Sequence, residues 1–193
     1  MMDEVSNVLD CGPVVEEVNR LKAEVAQLRK RVEHLDALAH QDSLSDLPNR
    51  RGFMRALERV IDRVKRYDET SALLFVDLDG LKMINDSFGH NAGDKALIEV
   101  AGLLVGGVRK SDVVARIGGD EFGILLAHSD SEKAHEAAQR LVDVIAGRGF
   151  THDGEQLPLS VAIGVTMISP GDSADEVIAR ADQEMYRRKA EAA

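Results

Sequence analysis

The sequence predicts an α/β domain with a mixed, largely antiparallel central sheet flanked by helices, preceded by a long coiled-coil helix. Three patterns carry that expectation. Ala72-Leu73-Leu74-Phe75-Val76-Asp77 is an unbroken apolar run ending in an acid, which reads as a central strand. Val113-Val114-Ala115 and Phe122-Gly123-Ile124-Leu125-Leu126-Ala127 flank Gly118-Gly119 and read as a hairpin, because glycines supply the positive φ angles of a tight primed turn. Amphipathic segments lie around these runs. Helices interleaved with a hairpin give a sheet with antiparallel members, not a doubly wound one.

Taken in order, residues 1–13 form a short acidic tail ending in Gly12-Pro13, with proline suited to a first helical turn. Residues 14–40 carry a heptad pattern. Val18, Val25 and Val32 fall at a, and Leu21, Leu28 and Leu35 at d, with Val14 and Ala39 extending the stripe. β-branched a and leucine d favour a parallel two-stranded coil. In that register Glu17–Lys22, Glu24–Arg29 and Arg31–Asp36 are g–e′ pairs of opposite sign. The competing reading is a lone amphipathic helix packed on its own domain, but the stripe is narrow and charged at both edges. Cys11 reaches an a position if the helix starts early, where it reads as a small apolar filler.

The domain proper is expected over residues 41–193. Pro48 and its polar neighbours break the helix. A helix over about Arg50–Tyr67 follows, with Phe53, Ala56, Leu57, Val60, Ile61 and Val64 on one face. Further helices are expected at about Gly93–Gly107, Ser131–Ala146 and Ser173–Ala190, and another strand at Leu159–Ile168. Phe88 to Asp94 reads as a loop leading into a helix.

Composition narrows the function. The chain has 193 residues and a formal net charge of −10, which argues against a partner with a nucleic-acid backbone. A nucleotide remains compatible, since a bound divalent cation offsets local acidity. One cysteine excludes an internal disulfide and fits a reducing compartment. No basic leader precedes an apolar segment, and no apolar run reaches membrane-spanning length, so a soluble, cytoplasmic protein without membrane insertion is expected.

The acids carry the chemistry. Asp77 and Asp79 are two apart, so on a strand they point the same way. Asp120 and Glu121 follow the glycines of the hairpin, where stability alone asks for no carboxylate pair. Converging across a sheet, the two sets suit Mg²⁺, which shares its sites with substrate phosphates. Paired ions activate an attacking hydroxyl and stabilise a leaving group. Lys82 then offers a phosphate contact, and Asn85 with Asp94 a hydrogen-bond set suited to guanine. Each piece has a bland counterpart. A Gly-Gly-Asp turn is commonly a polar surface turn, and an isolated Asn or Asp is commonly a cap.

Five motifs in order decide between these readings. They are Asp42-x-Leu-x-x-Leu-Pro-Asn-Arg-Arg51, Asp77-x-Asp79-x-x-Lys82-x-x-Asn85-Asp86, Gly89-His90-x-x-Gly93-Asp94, Gly118-Gly119-Asp120-Glu121-Phe122 and Ala181-Asp182-x-x-Met185-Tyr186-x-x-Lys189. With them the chain resembles the GGDEF family, the diguanylate cyclases of bacterial signalling, over about residues 42–190. The resemblance implies a palm-like nucleotidyl cyclase fold that binds one GTP. Asp77, the Leu78 carbonyl and Asp120 would hold two Mg²⁺ ions, with Mn²⁺ as an alternative. Glu121 would support either the metal site or the 3′-hydroxyl, within a catalytic signature that includes Gly118 and Gly119. Asn85 and Asp94 would read guanine, Lys82 and Lys189 would touch phosphates, and Gly80 and Leu81 would line the substrate. Two GTP would become cyclic di-GMP and two pyrophosphates across a homodimer joined through residues 14–40. Arg109 and Asp112, with Arg140 as a secondary arginine, would form a site at which cyclic di-GMP inhibits its own synthesis.

The chain departs from the family pattern at three places. Ala190-Glu191-Ala192-Ala193 follows Lys189 where Gly-Arg-Asn is usual, which points to weaker triphosphate affinity or a truncated chain. Asp46 stands where glycine is usual, and Gly80-Leu81 where bulkier residues are common. Two other functions stay open at this level: a dimeric GTP or cyclic di-GMP receptor without activity, and a cyclase making a different cyclic dinucleotide. His90 reads as a loop-fixing side chain or a ligand, and Arg116 as a phosphate contact or a flank of the sheet edge.

Overall fold

The computed structural model describes residues 12–192. The Cys11 reading and the expected tail up to residue 11 lie outside the described residues. Two compact units divide the chain, Met1–Ala39 and His40–Ala193. In the first, α1 is one unbroken helix, Gly12–His40, and its Val–Leu heptad stripe is solvent-exposed, from 42% at Val18 to 64% at Val32. Within the single chain Glu17 pairs with Arg20 at 2.6 Å.

The second unit begins with a turn. Asp42 holds Ser45 through its carboxylate, and Gln41 bridges to Pro48. Asn49 caps the next helix, α2 (Arg50–Tyr67), its Oδ1 accepting from the N–H groups of Arg51 at 2.9 Å and Gly52 at 3.1 Å. The chain continues as β1 (Ser71–Leu78), α3 (Leu81–Phe88), α4 (His90–Gly106), β2 (Val113–Arg116), β3 (Glu121–Ala127), α5 (Ser131–Arg148), β4 (Phe150–His152), β5 (Glu155–Leu157), β6 (Val161–Met167) and α6 (Ala174–Ala192).

The main sheet has the order β2-β3-β1-β6, and every neighbouring pair in it is antiparallel. The run ending at Asp77 is apolar throughout because both of its faces are covered. Ala72, Leu74, Val76 and Leu78 pack with α4 and α5, whereas Leu73 and Phe75 pack with α2 and α6. Gly123 of β3 leaves room for α2, since a Cβ there would lie 2.6 Å from the Phe53 ring. Among the described residues no helix is long and apolar enough to cross a membrane.

Two local expectations need correction, and one element was not anticipated. Leu81–Phe88 is helical, and α4 already starts at His90, so the expected loop from Phe88 to Asp94 is mostly helix. Gly80 at φ 70° turns the chain out of β1, and Gly89 at φ 83° separates the two helices. The unanticipated β4 and β5 form a small hairpin of their own, turning on Asp153 at φ 48° and Gly154 at φ 85°. Neither Gly118 nor Gly119 takes a left-handed φ. Their turn is a wider loop, closed by the N–H groups of Ile117 and Gly118, which donate to the Glu121 carbonyl at 2.9 and 3.2 Å. Gly118 is needed for space instead: a Cβ there would run into the Glu121 carboxylate.

Candidate active site

One end of the main sheet gathers the acids. Asp77 lies opposite Glu121 in the β1–β3 ladder. One residue on, the Leu78 N–H donates to the Asp120 carbonyl at 2.9 Å, which ties the hairpin tip to the end of β1. Asp79 is held from the other side. Its N–H donates to the Ser160 carbonyl at 2.9 Å, and the Ser160 hydroxyl donates to its Oδ2 at 3.0 Å. Asp77 and Asp79 share parity with Leu73 and Phe75, so Asp77 points to the α6 side of the sheet. From α6 the Lys189 ammonium hydrogen-bonds Asp77 and lies 3.2 Å from Asp79 Oδ1.

The electrostatics follow from this crowding. Burial pushes the Asp77 carboxyl above the usual range; Lys189 opposes that, while the charges of Asp120 and Asp79 add to it. Burial also raises Glu121, reinforced by Asp120, Asp77 and Asp182 and opposed by Arg50. Burial works against the Lys189 ammonium, but Asp77 and Asp79 outweigh it and hold its pKa above the ordinary lysine value.

Among the described residues no three Asp, Glu, His or Cys side chains form a ready metal-binding group. The site nonetheless fits a hard cation. Its donors are oxygens, its acids repel one another, and an ammonium ion already stands on Asp77 and Asp79.

The remaining sequence-predicted residues lie on α3 and α4. Lys82 is exposed in the first turn of α3. Gly80, the residue before that helix, offers no side-chain cap to its first N–H groups, and Leu81 opens it. Asn85 is half-buried over Gly93, where a Cβ would collide with its Oδ1. Asp94 is exposed on α4. His90 is the exposed first residue of α4, not a loop residue. A cleft of about 470 Å³ starts at Asp79 and Gly80 and runs along Met83 and Phe88 to Pro158.

Arg116 is turned to structure rather than outward. It donates to both oxygens of Asp42, at 3.1 and 3.2 Å, and to the Gly119 carbonyl at 2.8 Å. Arg116 thus clamps the entry turn to the hairpin tip, a role that the sequence leaves open and that Asp42 of the first motif signals.

A second constellation lies where α4 leads into β2. Arg109, Asp112 and Arg140 line one cavity of about 430 Å³, together with Lys133 and Glu136, which sequence reasoning did not single out. The Asp112 carboxylate closes the turn. Its Oδ2 accepts the Arg109 N–H at 2.9 Å and its Oδ1 the Ala127 N–H at 3.1 Å. The Arg140 guanidinium donates to the Gly107 carbonyl at 3.2 Å.

Residues 39–193 match the family described as "Diguanylate cyclase, GGDEF domain". Among curated relatives, the probable diguanylate cyclase DgcE of Escherichia coli is 37% identical over 167 residues, which are 86% of this chain and 15% of that protein. The diguanylate cyclase DgcP of Pseudomonas aeruginosa is 36% identical over 186 residues, which are 96% of this chain and 27% of that protein. The chain thus spans less than a third of either relative's length. Among solved structures, the coiled coil and GGDEF domain of DgcB from Caulobacter crescentus, in complex with c-di-GMP, matches with a TM-score of 0.85 at 25% identity, covering 92% of this chain and 94% of that one.

Proposed function

The chain belongs to the GGDEF domain family, and from that premise we propose that it condenses two GTP into cyclic di-GMP and two pyrophosphates. The observation that carries this reading is the meeting of Asp77, Asp120 and Glu121 at one sheet end, with both signature acids intact. Asp77, Asp120 and the Leu78 carbonyl would hold divalent ions, Mg²⁺ or Mn²⁺. When bound, such ions polarise the phosphate and lower the pKa of the attacking hydroxyl.

The chain's own residues do the rest. Asn85 and Asp94, on adjacent helices, face the guanine edge. Lys82, Gly80, Leu81 and the uncapped start of α3 hold phosphate oxygens, as helix N-termini do. Lys189 adds a cation from α6. The 3′-hydroxyl oxygen of one GTP bonds to the α-phosphorus of the other, and the bond to pyrophosphate breaks. Glu121, with its raised pKa, is suited to take the hydroxyl proton. A second round closes the ring.

Each domain supplies half of such a site, so a second copy is required. The exposed Val–Leu stripe of α1 is proposed as the parallel dimer seam, over residues 14–40. Tethering raises the local concentration of the second domain to about the millimolar range. Exchanging Leu21, Leu28 and Leu35 for Ser is expected to lower turnover at nanomolar protein at least ~10-fold and to restore it as concentration rises. Unchanged turnover would remove the coil from the mechanism. The cavity of Arg109, Asp112 and Arg140 is proposed as the inhibitory product site. The GTP substrate places the reaction in the cytoplasm.

The deciding experiment incubates the chain with GTP and Mg²⁺ and separates products by chromatography. Cyclic di-GMP should accumulate, slow on addition of cyclic di-GMP, and vanish with Asp120→Ala. Binding of GTP or cyclic di-GMP without product would mark a receptor instead.

A further inference from the structure

Lys189 reaches the acids through rigid parts. α6 lies directly on β6, because a Cβ at Gly164 would collide with the Ala181 carbonyl and the Met185 backbone. Ala181, Met185 and Lys189 recur at four-residue spacing on one helix face. The first two are buried, at 0% and 5% exposure. The third extends beyond them to β1, the neighbour of β6, where Asp77 and Asp79 end the strand on that same face. Asp77 has a side chain only 14% exposed, so the contact is enclosed rather than a chance surface pair. Lys189, at 38%, keeps a path to solvent.

Asp77 Oδ1 therefore already has a cation, and it belongs to the carboxylate assigned above to the metal. An ammonium and a divalent ion on the same carboxylate repel each other at short range. We propose that Lys189 is a resident counter-ion that competes with the divalent ion for Asp77, so that metal enters well only when nucleotide phosphates draw the ammonium away. This rests on reading the sheet end as a metal-dependent GTP site. The consequence is ordered loading. The nucleotide-free chain keeps its acids neutralised without metal, and nucleotide and metal each raise the other's affinity, as linkage requires. The apparent metal affinity of the free chain is reduced by the fraction of time that Lys189 leaves Asp77.

The test measures Mn²⁺ binding to the full chain without nucleotide, by the electron paramagnetic resonance signal of free Mn²⁺. Lys189→Met should bind Mn²⁺ at least ~10-fold more tightly than the unaltered chain, by release of that competition. Lys189→Arg, which keeps the cation, should stay within about threefold of the unaltered chain. Adding Asp77→Asn to Lys189→Met should abolish the gain. Circular-dichroism melts verify folding of each variant, and Lys189→Arg together with the double variant separates charge from fold. Equal or weaker Mn²⁺ binding by Lys189→Met overturns the counter-ion. If the chain also fails to bind Mn²⁺ alongside a non-hydrolysable GTP analogue, the metal-dependent reading of the site falls as well. If it binds there, only the counter-ion falls.

Discussion

Asp42 and Asp172 each lie against an arginine, whereas Glu121 lies largely among other acids and Asp77 shares the Lys189 ammonium with Asp79. Asp172 is gripped by both ends of the Arg180 guanidinium, at 2.9 and 2.7 Å, and accepts the Ser169 N–H at 2.7 Å. Asp42 meets Arg116 and Ser45. The Arg180 hydrogen bond leads in holding Asp172 below the usual carboxylate range. Burial raises Asp42, but its bonds from Ser45 and Arg116 bring it below that range on balance. At the sheet end the balance runs the other way, and Asp77 and Glu121 are raised. A carboxylate whose donors are supplied by the fold joins elements. One left among its own kind retains a demand for positive charge, and that demand is what a cation-dependent site requires.

The strongest way to break this contrast is Asp120→Ala. Product formation should fall by about 10³-fold, the scale of losing a group that stabilises the transition state. The same change removes a repulsive neighbour of Asp77 and Glu121, so the thermal midpoint of the metal-free chain should rise by about 2 °C. A lower midpoint would mean that the acid cluster supports the fold. Asp42→Asn tests the opposite class. It leaves Arg116, whose side chain is 14% exposed, without its carboxylate. Urea unfolding should show a loss of about 1–3 kcal/mol, the cost of a half-buried charge without its partner. Because Arg116 also holds the Gly119 carbonyl, turnover should fall too, though by far less than with Asp120→Ala.

Which parts of this contrast could be read in advance follows from their range along the chain. The run at Ala72–Asp77 and the helix at Arg50–Tyr67 declare themselves through local periodicity, and both form as expected. α3 hides because it is eight residues long, ends at glycines, and leaves Met83 70% exposed. The primed turn was legible in Asp153-Gly154, between short strands with few apolar residues to mark them. Gly118-Gly119 looked like such a turn, but neither takes a left-handed φ, and Gly118 alone lies against the bulk of Glu121. Motif order points to the acids and to Asn85 with Asp94, and the family resemblance to the Arg109–Asp112 turn; the fold brings Arg140 to the same cavity as the latter. The partner of each acid is another matter. Arg116 lies 74 residues from Asp42, and Lys189 lies 112 from Asp77, so only the packed sheet and helices decide who meets whom.

The smallest effect is also the most discriminating, because it is a matter of sign. Asp172 has a depressed pKa in the folded chain. Its charged form therefore contributes stability that is present above the unfolded value, near pH ~4, and is lost as pH falls through the folded one. Asp172→Asn should cost about 1 kcal/mol at pH 7, and that cost should disappear in strong acid. Glu121 has a raised pKa, so its charged form weighs against the folded chain at neutral pH. Glu121→Gln should then stabilise the metal-free chain by a few tenths of a kcal/mol (roughly 0.3) at pH 7. That gain should fade as pH drops through the raised folded value towards the ordinary glutamate value, where the unaltered chain takes up the proton. Melting curves of the two variants across pH 3–8 should thus deviate from the unaltered chain in opposite directions. Deviations of the same sign would show that an arginine neighbour, or its absence, does not divide the carboxylates of this domain.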